Sequence, residues 1–208
     1  MKNIVVLVSG GGTNLQALID AQGRGEIKNG YISTVISSNP NAYALERAEK
    51  NGINTLIIRR RDYDSFDSYD SALTELLQSV GADVVVLAGF MTILGKKVIK
   101  AFENRIINIH PALIPSFCGE GYYGLKVHEE ALKKGVKVTG ATAHFVNEIC
   151  DGGPIIIQKA VEVKNGDTPE ILQKRVMEQA EWKILPKAVA LFCEDKIKVI
   201  GNKTEIIE

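Results

Sequence analysis

Cysteine is scarce in this chain, and what there is cannot form a framework. The 208 residues hold three cysteines, Cys118, Cys150 and Cys193. The number is odd and no C-x-x-C occurs, so neither a disulfide scaffold nor a structural zinc site is supported, and a reducing compartment fits best. Long apolar runs are missing as well: none approaches the roughly 18 residues of a membrane-spanning helix. The apolar start "MKNIVVLVSGGG" is too short for a secretory segment followed by a cleavage site. The expectation is a cytoplasmic protein with no membrane role. Excess charge is also lacking, with 25 Lys and Arg against 25 Asp and Glu. Nothing in that balance points to a nucleic-acid partner, and the one basic cluster, "IIRRRDYD" at 57–64, reads as a solvated loop. With no repeat, low-complexity tract or linker, residues 1–208 read as a single domain.

What is present is alternation. Short apolar runs at 3–9, 31–38, 54–58, 83–89 and 105–110 read as strands. Amphipathic stretches at 15–24, 41–52, 65–80 and 95–102 read as helices, with Asn41 as a cap and Gly52 and Gly81 as stops. Such alternation predicts a doubly wound, mostly parallel α/β sheet of Rossmann-like type. The pattern then changes. A helix at 124–135 precedes two β-like runs, 136–146 and 153–163, close enough to form an antiparallel pair. A long C-terminal helix follows over 168–193, begun by Thr168 and Pro169 and kinked or interrupted at Pro186.

Three places carry polar groups suited to chemistry. "VSGGGTNLQALI" is a strand, a glycine loop and a helix. Glycines let backbone amides approach a ligand, and a helix N-terminus favours an anion. The dinucleotide fingerprint fails at Leu15, where it needs a third glycine, and the Walker pattern lacks its Gly-Lys-Ser/Thr. A loop suited to one phosphate remains, with Thr13 and Asn14 as side-chain donors. In "IINIHPALIP", Asn108 and His110 are two apart on a strand, so they share a face and emerge together where Pro111 ends the pairing. In "HFVNEICDGGPII", His144 lies on a β run, and Asp151 precedes a Gly-Gly turn that returns the chain. If Asp151 met His110, it would orient the ring and tune its pKa.

With these segments in view, the chain resembles the family of folate-dependent phosphoribosylglycinamide formyltransferases. The likeness runs nearly end to end through "IVVLVSGGGTNLQALI", "SSNPNAYALERAEKNGI", "DVVVLAGFMTIL", "NIHPALIPSF", "VTGATAHFVNEICDGGPII" and "GDTPEILQKRVMEQAEWKILPKAV". The resemblance implies formyl transfer from 10-formyltetrahydrofolate, a co-substrate, to the amine of glycinamide ribonucleotide, in purine biosynthesis and without a metal. It implies Asn108, His110 and Asp151 as the catalytic set. Asn108 and a protonated His110 would hold the oxyanion, and Asp151 would raise the His110 pKa to keep that proton. Gly11, Gly12, Thr13 and Asn14 would hold the ribonucleotide, while Met91, Thr92, Ile93 and Leu94 with Val146, Asn147 and Glu148 would wall the folate pocket. Residues 1–105 would then be the phosphate-binding half and 106–208 the catalytic and folate-binding half, in a monomer or homodimer.

The chain departs from the family pattern in four places. Thr92 and Phe66 stand where arginine is common. The loop after "HPALIP" is long, and its Tyr122–Tyr123 pair is placed to cover the site. The glutamate expected near the glycinamide falls one position late, with Ala180 at its place and Glu181 beside it. Three alternatives stay open: formyl transfer to methionyl-tRNA or a nucleotide sugar, hydrolysis of formyltetrahydrofolate, and an idle folate- or nucleotide-binding module. The tRNA enzyme usually carries a further C-terminal domain and the hydrolase an N-terminal one, and neither is expected in 208 residues.

Overall fold

The computed structural model describes residues 1–207. Along the chain run β1 (Lys2–Val8), α1 (Thr13–Gly23), β2 (Gly30–Ser37), α2 (Tyr43–Lys50), β3 (Asn54–Ile57), α3 (Phe66–Ser79), β4 (Val84–Leu87), α4 (Lys96–Ala101) and β5 (Ile106–His110). They are followed by α5 (Leu125–Lys134), β6 (Val138–Phe145), β7 (Ile155–Glu162), α6 (Pro169–Val176), α7 (Trp182–Cys193), β8 (Ile197–Ile200) and β9 (Lys203–Ile206). Seven strands form one sheet in the order β3-β2-β1-β4-β5-β6-β7. The first five are parallel; β6 runs antiparallel to β5, and β7 to β6. The expected fold is therefore present, antiparallel pair included. A hairpin the sequence did not suggest, β8–β9, follows α7 and bonds to the sheet where the Thr204 hydroxyl donates to Ile155 O at 2.7 Å.

Why the early strands lack polar alternation is plain from their faces. Ile4, Val6 and Val8 of β1 enter one buried cluster, shared with α1, α2, α6 and α7, and Val5 and Leu7 enter another beneath α3 and α4. Val84 and Val86 of β4 divide from Val85 and Leu87 in the same way. A strand covered on both sides must be apolar on both. In β5 the division breaks down: Ile107 and Ile109 join the first cluster, but on the other face only Ile106 joins the second. Asn108 and His110 occupy the rest of that face, beyond the reach of α3 and α4.

Helix boundaries hold two corrections. Asn41 does not cap α2; the cap position is Ala42, with no side-chain bond. The helix start is satisfied instead by the glycine loop, since Ala44 N–H donates to Gly10 O at 3.1 Å. The tail helix is broken upstream of Pro186, by a π turn at Met177–Glu181, and α7 then runs on through the proline. Ser65 caps α3 with a reciprocal Ser65–Ser68 capping box, and Thr168 caps α6 with Pro169 in its first turn.

The chain lays β2 and β3 on one side of β1 and then returns to β4 on the other. Between β1 and β4 the order reverses, which opens a crevice beyond the carboxyl ends of the strands. Both the glycine loop and the end of β5 lie at that edge.

Candidate active site

Strand parity brings Asn108 and His110 to one face, and β6 adds His144, which the sequence reading had named without giving it a role. In the antiparallel register Asn108 lies opposite His144 and His110 opposite Thr142. Directly paired residues share a face, so His144 joins the cluster. Its Nδ1–H donates to Phe145 O at 2.8 Å, which leaves Nε2 to accept from the Asn108 amide at 3.2 Å. That fixes the way the amide points and spends one of its two N–H groups. The other stays available for a ligand oxygen.

Asp151 arrives from the turn after β6 with a left-handed backbone, φ 53°. Its Oδ2 lies 3.5 Å from His110 Nδ1 and accepts from Gly119 N–H at 2.9 Å, while Oδ1 lies 3.6 Å from His144 Nε2. The turn leaves no room for a side chain at Gly153, where a Cβ would stand 1.9 Å from Phe145 O. The expected meeting of Asp151 with His110 is thus present, with His144 as a third member. Thr142 anchors the outgoing loop, its hydroxyl donating to Ala112 O at 2.7 Å and accepting from Ile114 N–H at 3.1 Å.

The electrostatics overturn one expectation. Burial of the His110 ring costs its charged form more than Asp151 and the Phe117 carbonyl return, and nearby His144 adds to the cost. The His110 pKa is lowered, not raised, which favours the uncharged ring. Its Nε2–H donates to Phe117 O at 2.8 Å, so the unprotonated nitrogen is Nδ1, beside Asp151. Burial pulls the Asp151 carboxyl up, but the two neighbouring imidazoles and the Gly119 N–H outweigh it and hold the pKa low. His128 of α5 is fully buried, and its pKa falls to about 4, through burial first and His110 second.

At the other end of the crevice Gly12 starts α1 with φ 72°, and a Cβ there would stand 2.6 Å from that of Ala44. Nothing comes within 4 Å of the same position at Gly10 or Gly11, so the loop is open above them. No side chain caps α1, which leaves its first amides, at Thr13 and Asn14, turned toward the crevice as an anion site requires. Arg47, which sequence reasoning missed, bonds the loop from beneath, Nε to Gly11 O at 2.9 Å.

Asn14 does not stand free as a donor. Its Nδ2 donates to Glu181 Oε2 at 2.7 Å, and its Oδ1 is buried without a partner. Glu181 is buried and its pKa is pushed up to about 7, by burial against the opposing Asn14 bond. The π turn explains why Glu181 and not Ala180 reaches this spot. A π turn holds one residue more than an α turn and re-phases the side chains that follow by one position. The glutamate that came one residue late is turned back inward.

The two expected folate-wall segments share one neighbourhood but contribute unequally. Met91 and Ile93 are 56% and 74% exposed, and Thr92 is half-buried. Leu94 is buried, in the cluster beneath α3 and α4. Val146 packs on that same cluster. The Asn147 side chain bonds within its own loop, to Ile149 N–H at 3.0 Å, and Glu148 pairs with Lys96 at 3.5 Å.

An open sheet with an amide, two imidazoles and a carboxylate at its carboxyl edge, across from an anion-receptive loop, is the architecture of a group-transfer enzyme of the α/β class. The profile of the formyl transferase family matches residues 2–189. The phosphoribosylglycinamide formyltransferase of Escherichia coli is 40% identical over 200 residues, covering 96% of this chain and 91% of its own. A trifunctional purine biosynthetic protein of Bos taurus is 43% identical over 199 residues, but those are only 19% of its length. A crystal structure of glycinamide ribonucleotide transformylase 1 from Symbiobacterium toebii superposes with a TM-score of 0.94 at 44% identity, covering 100% of this chain and 95% of that one. A formyltetrahydrofolate deformylase from Pseudomonas syringae superposes at 0.88 with 29% identity, over 100% of this chain and 66% of that one. The chain belongs to the formyl transferase family, among the phosphoribosylglycinamide formyltransferases. No helix among the described residues is long and apolar enough to cross a membrane.

Proposed function

We propose that this enzyme transfers the formyl group of 10-formyltetrahydrofolate to the amine of glycinamide ribonucleotide. One observation carries the reading: an anion-receptive loop and an oxyanion-and-proton cluster stand at the same edge of the sheet, two strands apart. With strands ~4.8 Å apart, that separation is roughly 10 Å. The phosphate would bind at the Gly11–Gly12 loop and the amides of Thr13 and Asn14, and the glycinamide end would reach toward Asn108. Glu181, held by Asn14, would receive the polar groups between. The donor would lie against Met91, Thr92, Ile93 and Val146, with Asn147 and Glu148 shaping its far wall.

The step then follows from the ring's protonation. The amine attacks the formyl carbon, and the carbonyl oxygen gains charge, which the free Asn108 N–H stabilises. Neutral His110 takes the amine proton on Nδ1. Burial would disfavour the resulting imidazolium, and Asp151 Oδ2 offsets that cost. As the carbon–nitrogen bond to the folate breaks, its electron pair stays on the folate nitrogen, which takes the proton back from Nδ1. The products are formylglycinamide ribonucleotide and tetrahydrofolate. His144 orients Asn108 without entering the bond changes.

The test is an acceptor-dependent assay with purified protein. Tetrahydrofolate should appear together with formylated ribonucleotide and only when the acceptor is present. Equal release without acceptor would favour hydrolysis, the activity for which the Pseudomonas syringae relative is named.

A further inference from the structure

Two of the three cysteines border one cavity beside the candidate site. Cys118 comes from the loop after β5 and Cys150 from the turn after β6, and both are free thiols. They line one cavity of about 620 Å³ together with Asp151, Ile114, Ile149 and Thr204, which neither Asn108 nor His110 borders. Cys150 Sγ lies 3.9 Å from Asp151 Oδ2, the oxygen that holds Gly119 N–H, next in sequence to Cys118. A single carboxylate oxygen thus rests against both cysteine-bearing loops. Cys150 is exposed and Cys118 half-buried, whereas Cys193 is buried in the core far along the chain.

We propose that Cys118 and Cys150 are a modification site, closing to an intramolecular disulfide across the two loops that hold Asp151. The oxidant is a low-molecular-weight disulfide. The exposed Cys150 thiolate attacks it, forming a mixed disulfide and releasing one thiol. Cys118 then attacks the Cys150 sulfur and releases the second. Two thiol protons and two electrons pass to the oxidant, which leaves as two thiols. Both protein thiols have pKa values pushed up, by burial first and by Asp151 next, so closure is slow at neutral pH and quickens in alkali. Bringing the sulfurs to about 2.05 Å draws the loops together where the Asp151 carboxylate now rests, and shifts it from His110 and His144. Displacement of a catalytic group by about 1 Å costs on the order of 100-fold in rate.

The effect on rate rests on the function proposed above; the bond itself does not. The full-length protein is treated with oxidised glutathione in mild alkali, alkylated, and read by peptide mass. The expected result is a Cys118–Cys150 link that dithiothreitol removes, with kcat down on the order of 100-fold and restored on reduction. C118S should keep glutathione on Cys150, and neither C118S nor C150S should differ in kcat between its own oxidised and reduced samples by more than about twofold, well short of the displacement effect. A persistent glutathione adduct in the unaltered protein, a link between chains or to Cys193, or no oxidation would overturn the pair. A link without loss of rate would overturn the displacement of Asp151. If no formyl transfer is found at all, the mass readout still decides the pair.

Discussion

The glycine loop after β1 and the polar wall of β5 and β6 lie at the same edge of the sheet and are made in opposite ways. The loop offers main chain. Its donors are the amides of a helix start, and its side chains are absent or turned aside: Gly12 must lack a Cβ, and Asn14 is spent on Glu181. The wall offers side chains on a regular backbone, where Asn108, His110 and His144 sit in strands whose ladder stays intact through the pairs Asn108–His144 and His110–Thr142. A main-chain site is lost by adding atoms, because room and φ decide it. A side-chain site is lost by exchanging one functional group for another of the same shape. The first kind suits binding of a fixed charge, and the second suits a charge that moves during reaction.

That contrast can be broken from either end. The largest effects belong to the wall. Asn108→Ala removes the one amide N–H left for the oxyanion, and kcat should fall on the order of 10²–10³-fold. Asp151→Asn, nearly the same shape, should also lower kcat strongly while KM for both substrates changes little. A large rise in KM with kcat preserved, in single-turnover and steady-state kinetics, would make the wall a binding surface and erase the distinction.

On the loop the expected loss is of the other sort. Gly12→Ala forces a φ of 72° on a residue with a Cβ and drives that atom to 2.6 Å from Ala44. Stability should fall by about 1–3 kcal/mol, read from urea midpoints, and KM for the phosphorylated substrate should rise more than kcat falls. An unchanged midpoint would mean the loop adjusts freely.

Glu181 tests the link between the regions. Its carboxyl titrates near pH 7, so the ionised form gains as pH rises through that value. If that form receives the acceptor, kcat/KM for the ribonucleotide should rise across the same range, and Glu181→Gln should flatten that limb and lower the plateau about tenfold, the loss of one charge-assisted bond. A limb that survives the substitution belongs to another group. In the unliganded fold the sign for stability is the reverse. A raised pKa means Glu181 favours folding below about 4.5, its ordinary value, and loses that contribution as pH climbs through about 7. The smallest effect is expected at Glu148→Gln. Its ion pair with Lys96 is largely exposed, and such pairs contribute ~0–1 kcal/mol, so the melting temperature should barely move.

Much of this architecture could be read without coordinates, because its causes are local. A strand buried on both faces needs an unbroken apolar run, so "NIVVLVS" and "DVVVLAG" announce the sheet. Three glycines before a helix announce a loop that uses its backbone. A two-residue period places Asn108 and His110 together whatever surrounds them. The remainder depended on contacts between distant parts of the chain. Only the antiparallel register of β6 brings His144 opposite Asn108, and only the depth of burial lowers the His110 pKa where its pairing with Asp151 alone argued for a rise. Leu94 goes to the core, while Met91 and Ile93 stay outside. The π turn decides that Glu181 meets Asn14, since helical phase is set by hydrogen bonds that the order of residues in "EQAEW" does not display. Local pattern determined the elements and the residues able to do chemistry. Tertiary packing decided their partners and their charges, because both are set by what lies across space.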